Sequence, residues 1–234
     1  MELKKQDKYL IENTVNKIRN GKNSNFLNKK EINLIISYLN KNKINYELYY
    51  PFHDAEYGII YSNVLPKIDL IRIKTKNKIR HQDILGSIYS LNIAEDIIGD
   101  IIITDNYYVI VMSYMSNYII NNLCKISKYN VSLEKVNIKE IENYKINYEK
   151  IILNVTSNRI DLIISKLINK SRNDVITLIK QKEIILNYDI LTKSNYMLRE
   201  NDTFSIHKYG KYKFINIIGL TKKEKLLIEI KKYL

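Results

Sequence analysis

The chain has a single cysteine, Cys124, and no tryptophan among its 234 residues. One thiol excludes an intramolecular disulfide framework and any zinc site built on cysteines, and it fits a reducing compartment. Only 6 glycines and 2 prolines are present, too few for a low-complexity linker. The histidines, at 53, 81 and 207, lie too far apart for a local metal pattern, and no cofactor is expected. Long apolar runs are missing too. None approaches the roughly 18 residues a membrane span needs, and the opening residues 1–7 hold no apolar signal segment. The lysines do not line one long amphipathic helix either. A cytosolic, monomeric protein without membrane contact is the expectation.

What is present is material for cores and a surplus of positive charge. Hydrophobic residues make up 45% of the chain and charged residues 27%, enough for two or three small soluble domains. Net charge is +13, unevenly spread. Residues 151–234 carry 16 Lys and Arg against 8 Asp and Glu; residues 1–150, nearly twice as long, carry 22 against 17. A basic end suits a polyanion, nucleic acid or an anionic membrane, and is equally compatible with a merely solvated basic surface.

Apolar periodicity predicts helices over 7–20 and 29–42, with Asn28 and Glu31 at capping-box spacing before the second. A β-α-β-β-α-β order follows. Strands are predicted at Lys67–Thr75, Asp100–Thr104, Tyr107–Met112 and Asn130–Val136, and helices at Asp83–Leu91 and 115–127. Residues 56–62 are a further possible strand. This order is the ferredoxin-like arrangement, which many RNA-binding modules use. The polar stretch 137–150 reads as a domain boundary. The division expected is thus an N-terminal helical segment over 1–45, a ferredoxin-like α+β domain over 46–145 and a C-terminal domain over 151–234.

In that last domain a strand at Ile151–Val155 precedes two helices. Asn158 and Asp161, then Ser171 and Asp174, have capping spacing. Strands at Ile184–Leu186, Thr203–Ile206 and Tyr212–Ile218 come next. Leu226–Ile230 alternates like a strand, but Thr221 and Glu224 could also cap a helix there.

Five pieces occur in order: Arg159-Ile160-Asp161, Ser171-Arg172, Ile184-Ile185-Leu186-Asn187, Asn201-Asp202-Thr203-Phe204-Ser205-Ile206 and Tyr209-Gly210-Lys211. Over about 155–215 this resembles the RNA-binding domain of the ribosomal protein S-four type, the α-L motif. The usual Gly before the central strand is replaced by Gln181-Lys182-Glu183, and Asn187 is followed by Tyr188 rather than Gly. Upstream, Phe26-Leu27, Ala55-Glu56, His81-Gln82-Asp83-Ile84-Leu85-Gly86 and Ile98-Gly99-Asp100-Ile101 resemble the N-terminal half of YlmH-type proteins.

The resemblance implies binding to structured RNA on the large ribosomal subunit, ribosomal RNA and tRNA, in quality control of stalled nascent chains. It implies RNA contacts from Arg159, Arg172, Lys180, Lys182, Asn187, His207, Lys208, Tyr209 and Lys211. The physics agrees. Arg159 and Arg172 stand where two helices begin, and a helix N-terminus attracts phosphate while a guanidinium forks onto its oxygens. Lys180 and Lys182 close the second helix. Tyr188, Tyr209 and Tyr212 offer stacking surfaces, or core. Arg159 could instead pair with Asp161, and Asp161 and Asp174 read as caps. His81 and Asp83 could suggest acid–base work, but no nucleophile accompanies them; Asp83 reads as a helix start and Gly86 as a close-packing position.

No catalytic residue is expected. The alternatives are an RNA-modifying enzyme like the pseudouridine synthases, which share an α-L domain, or a factor in ribosome assembly or cell division. A tyrosyl-tRNA-synthetase relative lacks support, since Lys125-Ile126-Ser127-Lys128 stands without a Gly-rich nucleotide turn.

Overall fold

The structure, a computed structural model, describes residues 4–234, so the first three residues of the segment read for a signal lie outside the described residues. The chain is mixed α+β with antiparallel sheets, and it divides into two compact units, 1–145 and 146–234.

The first unit holds α1 (Lys5–Arg19), β1 (Leu27–Asn28), α2 (Lys29–Lys41), β2 (Glu47–Tyr49), β3 (Tyr57–Tyr61), β4 (Ile68–Lys74), α3 (His81–Tyr89), β5 (Ile98–Ile103), β6 (Tyr107–Met112), α4 (Ser113–Asn122), β7 (Lys125–Ile126), β8 (Tyr129–Asn130) and β9 (Ser132–Val136). Helical spacing puts Ile11, Val15 and Ile18 of α1 and Ile32, Ile35 and Leu39 of α2 into one apolar cluster. Asn28 starts α2 as its spacing predicts. Its Oδ1 accepts from Glu31 N at 3.0 Å, and Glu31 Oε2 accepts from Asn28 N at 2.9 Å. Such a cap contributes about 1 kcal/mol.

The main sheet runs β5-β6-β4-β9, every pair antiparallel. Leu70 and Ile71 are successive residues of β4, at 1% and 0% exposure. Successive side chains point to opposite faces, so this sheet is covered on both sides at its centre.

The motif pieces of this unit meet in space. Phe26 lies over Gly99, where an added Cβ would come within 2.9 Å of the ring. The Asp100 carboxylate accepts from the backbone N–H of Glu56 (3.1 Å) and of Tyr57 (3.2 Å), tying Ala55-Glu56 to Ile98-Gly99-Asp100-Ile101. Asp83 is the α3 start signal, accepting from Arg80 N and from the Arg80 guanidinium.

Two local expectations fail. Gly86 is not closely packed, for a Cβ there would meet nothing within 4 Å. The helix expected over 115–127 ends at Asn122. Leu123 leaves helical geometry, and β7 and β8 then pair around Ser127, which takes a left-handed φ of 54°.

The second unit holds β10 (Tyr148–Val155), α5 (Ile160–Leu167), α6 (Arg172–Lys180), β11 (Ile184–Leu186), β12 (Asp189–Ile190), β13 (Thr203–Ile206), β14 (Gly210–Leu220) and β15 (Leu226–Tyr233). Its sheet order is β10-β15-β14-β13-β11-β12. One core gathers Ile160, Ile163 and Ile164 of α5, Val175 and Ile179 of α6, and Phe204, Phe214, Ile228 and Ile230 of the sheet. Burying each such side chain stabilises the fold by about 1.5–3 kcal/mol. Leu226–Ile230 belongs to a strand, resolving that ambiguity against a helix. β10 begins at Tyr148, inside the stretch read as a boundary, because Ile151, Leu153 and Val155 face inward while the residues between them need not be apolar.

Candidate nucleic-acid interface

Arg159 and Arg172 converge on one carboxylate. Asp161 is fully buried, and both oxygens are used. Arg159 donates from Nε to Oδ1 at 3.1 Å and from Nη2 to Oδ2 at 2.9 Å. Arg172 donates from Nε and Nη2 to Oδ2, at 3.3 and 2.8 Å. Burial pushes the Asp161 carboxyl up, but hydrogen bonds and charge from the two arginines outweigh that and hold it below the usual Asp value. The guanidiniums stay reachable, with Arg159 and Arg172 side chains 34% and 49% exposed. In each, the Nε–Nη2 edge faces Asp161 and Nη1 lies outside the pair.

This differs from the sequence expectation in three respects. Asn158 does not cap α5; its amide donates instead to Leu198 O at 2.8 Å. Arg159 is the N-cap of α5 rather than its first helical residue. The α5 N-terminus is not an open amide cradle, since Ile160 N donates to Tyr196 O and Leu162 N to Asp161 Oδ1. At α6 the expectation stands. Ser171 and Asp174 form a capping box, Arg172 is the first helical residue, and those Ser171 hydrogen bonds hold the Asp174 carboxyl low.

The remaining expected contacts fall into separate groups. Lys180 and Lys182 are exposed at the end of α6, and Lys182 takes a φ of 61°, filling the left-handed position where the α-L pattern usually has Gly. Asn187 and Tyr188, with φ of 48° and 67°, make the tight turn between β11 and β12. The Asn187 amide is engaged within the unit. Its Nδ2 donates to Asp202 Oδ1 at 2.7 Å and its Oδ1 accepts from Thr203 N at 2.9 Å. His207 Nδ1 faces the Glu183 carboxylate. Lys208 and Tyr209 are exposed in the turn before β14, and Lys211 lies over the Tyr233 ring at 4.7 Å. Tyr212 is no stacking platform: it is 4% exposed, stacked on Phe204, and its hydroxyl donates to Tyr209 O.

In the first unit, sequence reasoning passed over the loop from β4 to α3. Lys74, Lys76, Lys78 and Arg80 fall within seven residues, all exposed. Lys74 pairs with Glu134 and Arg80 with Asp83, so Lys76 and Lys78 carry the outward charge. The run of basic residues was the available signal. Among the described residues no group of three or more His, Cys, Asp or Glu could hold a metal, and no helix is long and apolar enough to cross a membrane.

Residues 67–140 match a protein-family model described as "Putative RNA-binding domain in YlmH". The match covers the main sheet of the first unit with α3 and α4, and includes the basic loop. A curated relative, "Ribosome-associated protein quality control protein P2" of Bacillus subtilis (strain 168), is 26% identical over 146 residues, 62% of this chain and 57% of that protein. The match therefore spans little more than half the relative's length. A solved structure described as the cell division protein ylmH from Streptococcus pneumoniae is 19% identical, with a TM-score of 0.49, covering 61% of this chain and all but 2% of that one. By these matches the chain is similar to YlmH-type proteins, with residues 67–140 as the matching domain.

Proposed function

We propose that this chain is a non-catalytic RNA-binding protein that works on the ribosome, contacting large-subunit ribosomal RNA and tRNA while stalled nascent chains are processed. The observation that carries the reading is the pair of guanidiniums fixed by Asp161. Arginine loses entropy when it is immobilised on a ligand, and here a buried carboxylate has already fixed both. One negative charge against two positive leaves the cluster cationic, with donors outside the internal pairs.

The fold supports the same reading. The order β5-β6-β4-β9 is that of a ferredoxin-like sheet built from a β-α-β-β-α-β chain. Because its centre is covered on both faces, we assign RNA contact in this unit to the loop bearing Lys76 and Lys78 rather than to an open sheet. The second unit, with two helices, the second capped by Ser171, followed by the β11–β13 sheet, supports the α-L assignment. The relative's name supports the ribosome as the setting.

A modifying enzyme is the weaker reading. The acid in the Arg159-Ile160-Asp161 piece is wholly buried between guanidiniums, a placement suited to holding arginines rather than attacking a base. The protein is taken to be cytosolic, monomeric and free of cofactor. In-cell crosslinking with sequencing of the attached RNA tests the proposal. Enrichment of large-subunit ribosomal RNA together with tRNA is expected. Enrichment of messenger RNA alone would refute the ribosomal setting, and protein-dependent nucleoside modification in the recovered RNA would refute the non-catalytic one.

A further inference from the structure

The sheet of the second unit has a second face, and its residues follow from register. Ile228 and Ile230 of β15 are fully buried in the core. Alternation sends Glu229, Lys231 and Tyr233 to the opposite side. Lys150 of β10 and Lys213 of β14 are the direct partners of Lys231 on either flank, and Tyr148 is the partner of Tyr233. Three lysines thus form one row across three adjacent strands. Lys211 joins them, over the Tyr233 ring at 4.7 Å, and Lys231 sits over the Tyr148 ring at 5.2 Å. The two tyrosines meet edge to face at 4.9 Å. On these strands, Glu229, paired with Lys150 at 2.7 Å, is the acid of that face.

Like charges placed directly opposite on neighbouring strands repel. Glu229 and the cation–π contacts with the tyrosines offset part of that repulsion, and a bound polyanion would add to that offset. A row of positive charge suits a phosphate backbone, and bases or riboses suit flanking tyrosine rings. We propose that this lysine–tyrosine face binds a single-stranded RNA segment, separately from the Asp161-centred arginines. The inference rests on the chain being an RNA-binding protein, and it adds a second surface for an unpaired stretch.

The test uses the full chain and an oligouridylate of about 12 nucleotides, within the size range of such sites. The double variant Lys213→Gln/Lys231→Gln should lower oligouridylate affinity about tenfold or more. It should also flatten the log–log salt slope by roughly 1.4, for two single-strand phosphate contacts. Tyr233→Leu, which keeps every lysine, should weaken oligouridylate but not long-chain polyphosphate, which has charge without bases. Arg172→Ala should leave oligouridylate within about twofold while weakening structured ribosomal RNA. Unchanged oligouridylate binding by Lys213→Gln/Lys231→Gln would overturn the inference. So would a Tyr233→Leu variant indistinguishable from the parent, since the face would then be charge alone. If Arg172→Ala is silent on structured RNA while the lysine variant loses oligouridylate, the arginine reading fails and the sheet face stands.

Discussion

Arg172 donates from Nη2 to Asp161 Oδ2 at 2.8 Å, reaching from the first residue of one helix to a buried carboxylate in the first turn of another, 11 residues earlier. Arg159 holds the same carboxylate from the other side. The three residues act as one unit, so substitutions among them should not add.

Asp161→Asn should destabilise the second unit by about 1.5–3 kcal/mol at neutral pH, the range for hydrogen bonds to a charged group. The Asp161 carboxyl is held below its unfolded value of about 3.9. Its contribution is therefore fully present above that pH and is lost as pH falls through the lower folded value. The variant should show a shallower loss of stability between neutral pH and acid. Denaturant melts over a pH series measure this, and a wild-type acid slope in the variant would contradict it.

Lys182→Gly should raise stability by about 0.5–1 kcal/mol, because glycine takes the left-handed φ of 61° without a Cβ clash. It should weaken structured-RNA binding at the same time by removing a cation beyond α6. Thermal melts and RNA titration separate the two effects. A loss of stability would mean that the lysine stem packs where glycine cannot.

Gly99 and Gly86 should respond in opposite directions. Gly99→Ala places a Cβ against the Phe26 ring and should destabilise by about 1–3 kcal/mol, as overpacking does. Gly86→Ala enters open space on an exposed turn of α3 and should stabilise by about 0.5–1 kcal/mol. Melting temperatures decide both. If Gly86→Ala folds more stably yet weakens RNA binding, the bare backbone of α3 is itself part of the RNA surface.

Longer patterns were legible in the sequence and shorter ones were not. The Asn28 and Ser171 caps could be read because a side chain three residues away completes each locally. β2, β12 and the β7–β8 pair have two or three residues each, too few for an alternation to register. Asp161 was read as a cap because its second partner, Arg172, comes from another helix. The lysine row was hidden for the same reason. Lys150, Lys213 and Lys231 become neighbours only through the pairing of β10, β15 and β14. The alternation in Lys211-Tyr212-Lys213-Phe214 was its one local trace.

The affinity of the full chain for a structured fragment of large-subunit ribosomal RNA, measured across salt concentrations for Arg172→Ala and for the control Lys8→Ala, exposed on α1, tests the central claim. Asp161 keeps Arg159 in the variant, so the fold should persist with a modestly lower melting temperature. Arg172→Ala should bind about tenfold more weakly, the loss of one charged hydrogen bond. Its log–log salt slope should flatten by roughly 0.9, for one phosphate contact fewer. Lys8→Ala should match the parent protein. Equal effects from the two substitutions would mean diffuse charge, and would contradict an RNA site positioned by Asp161.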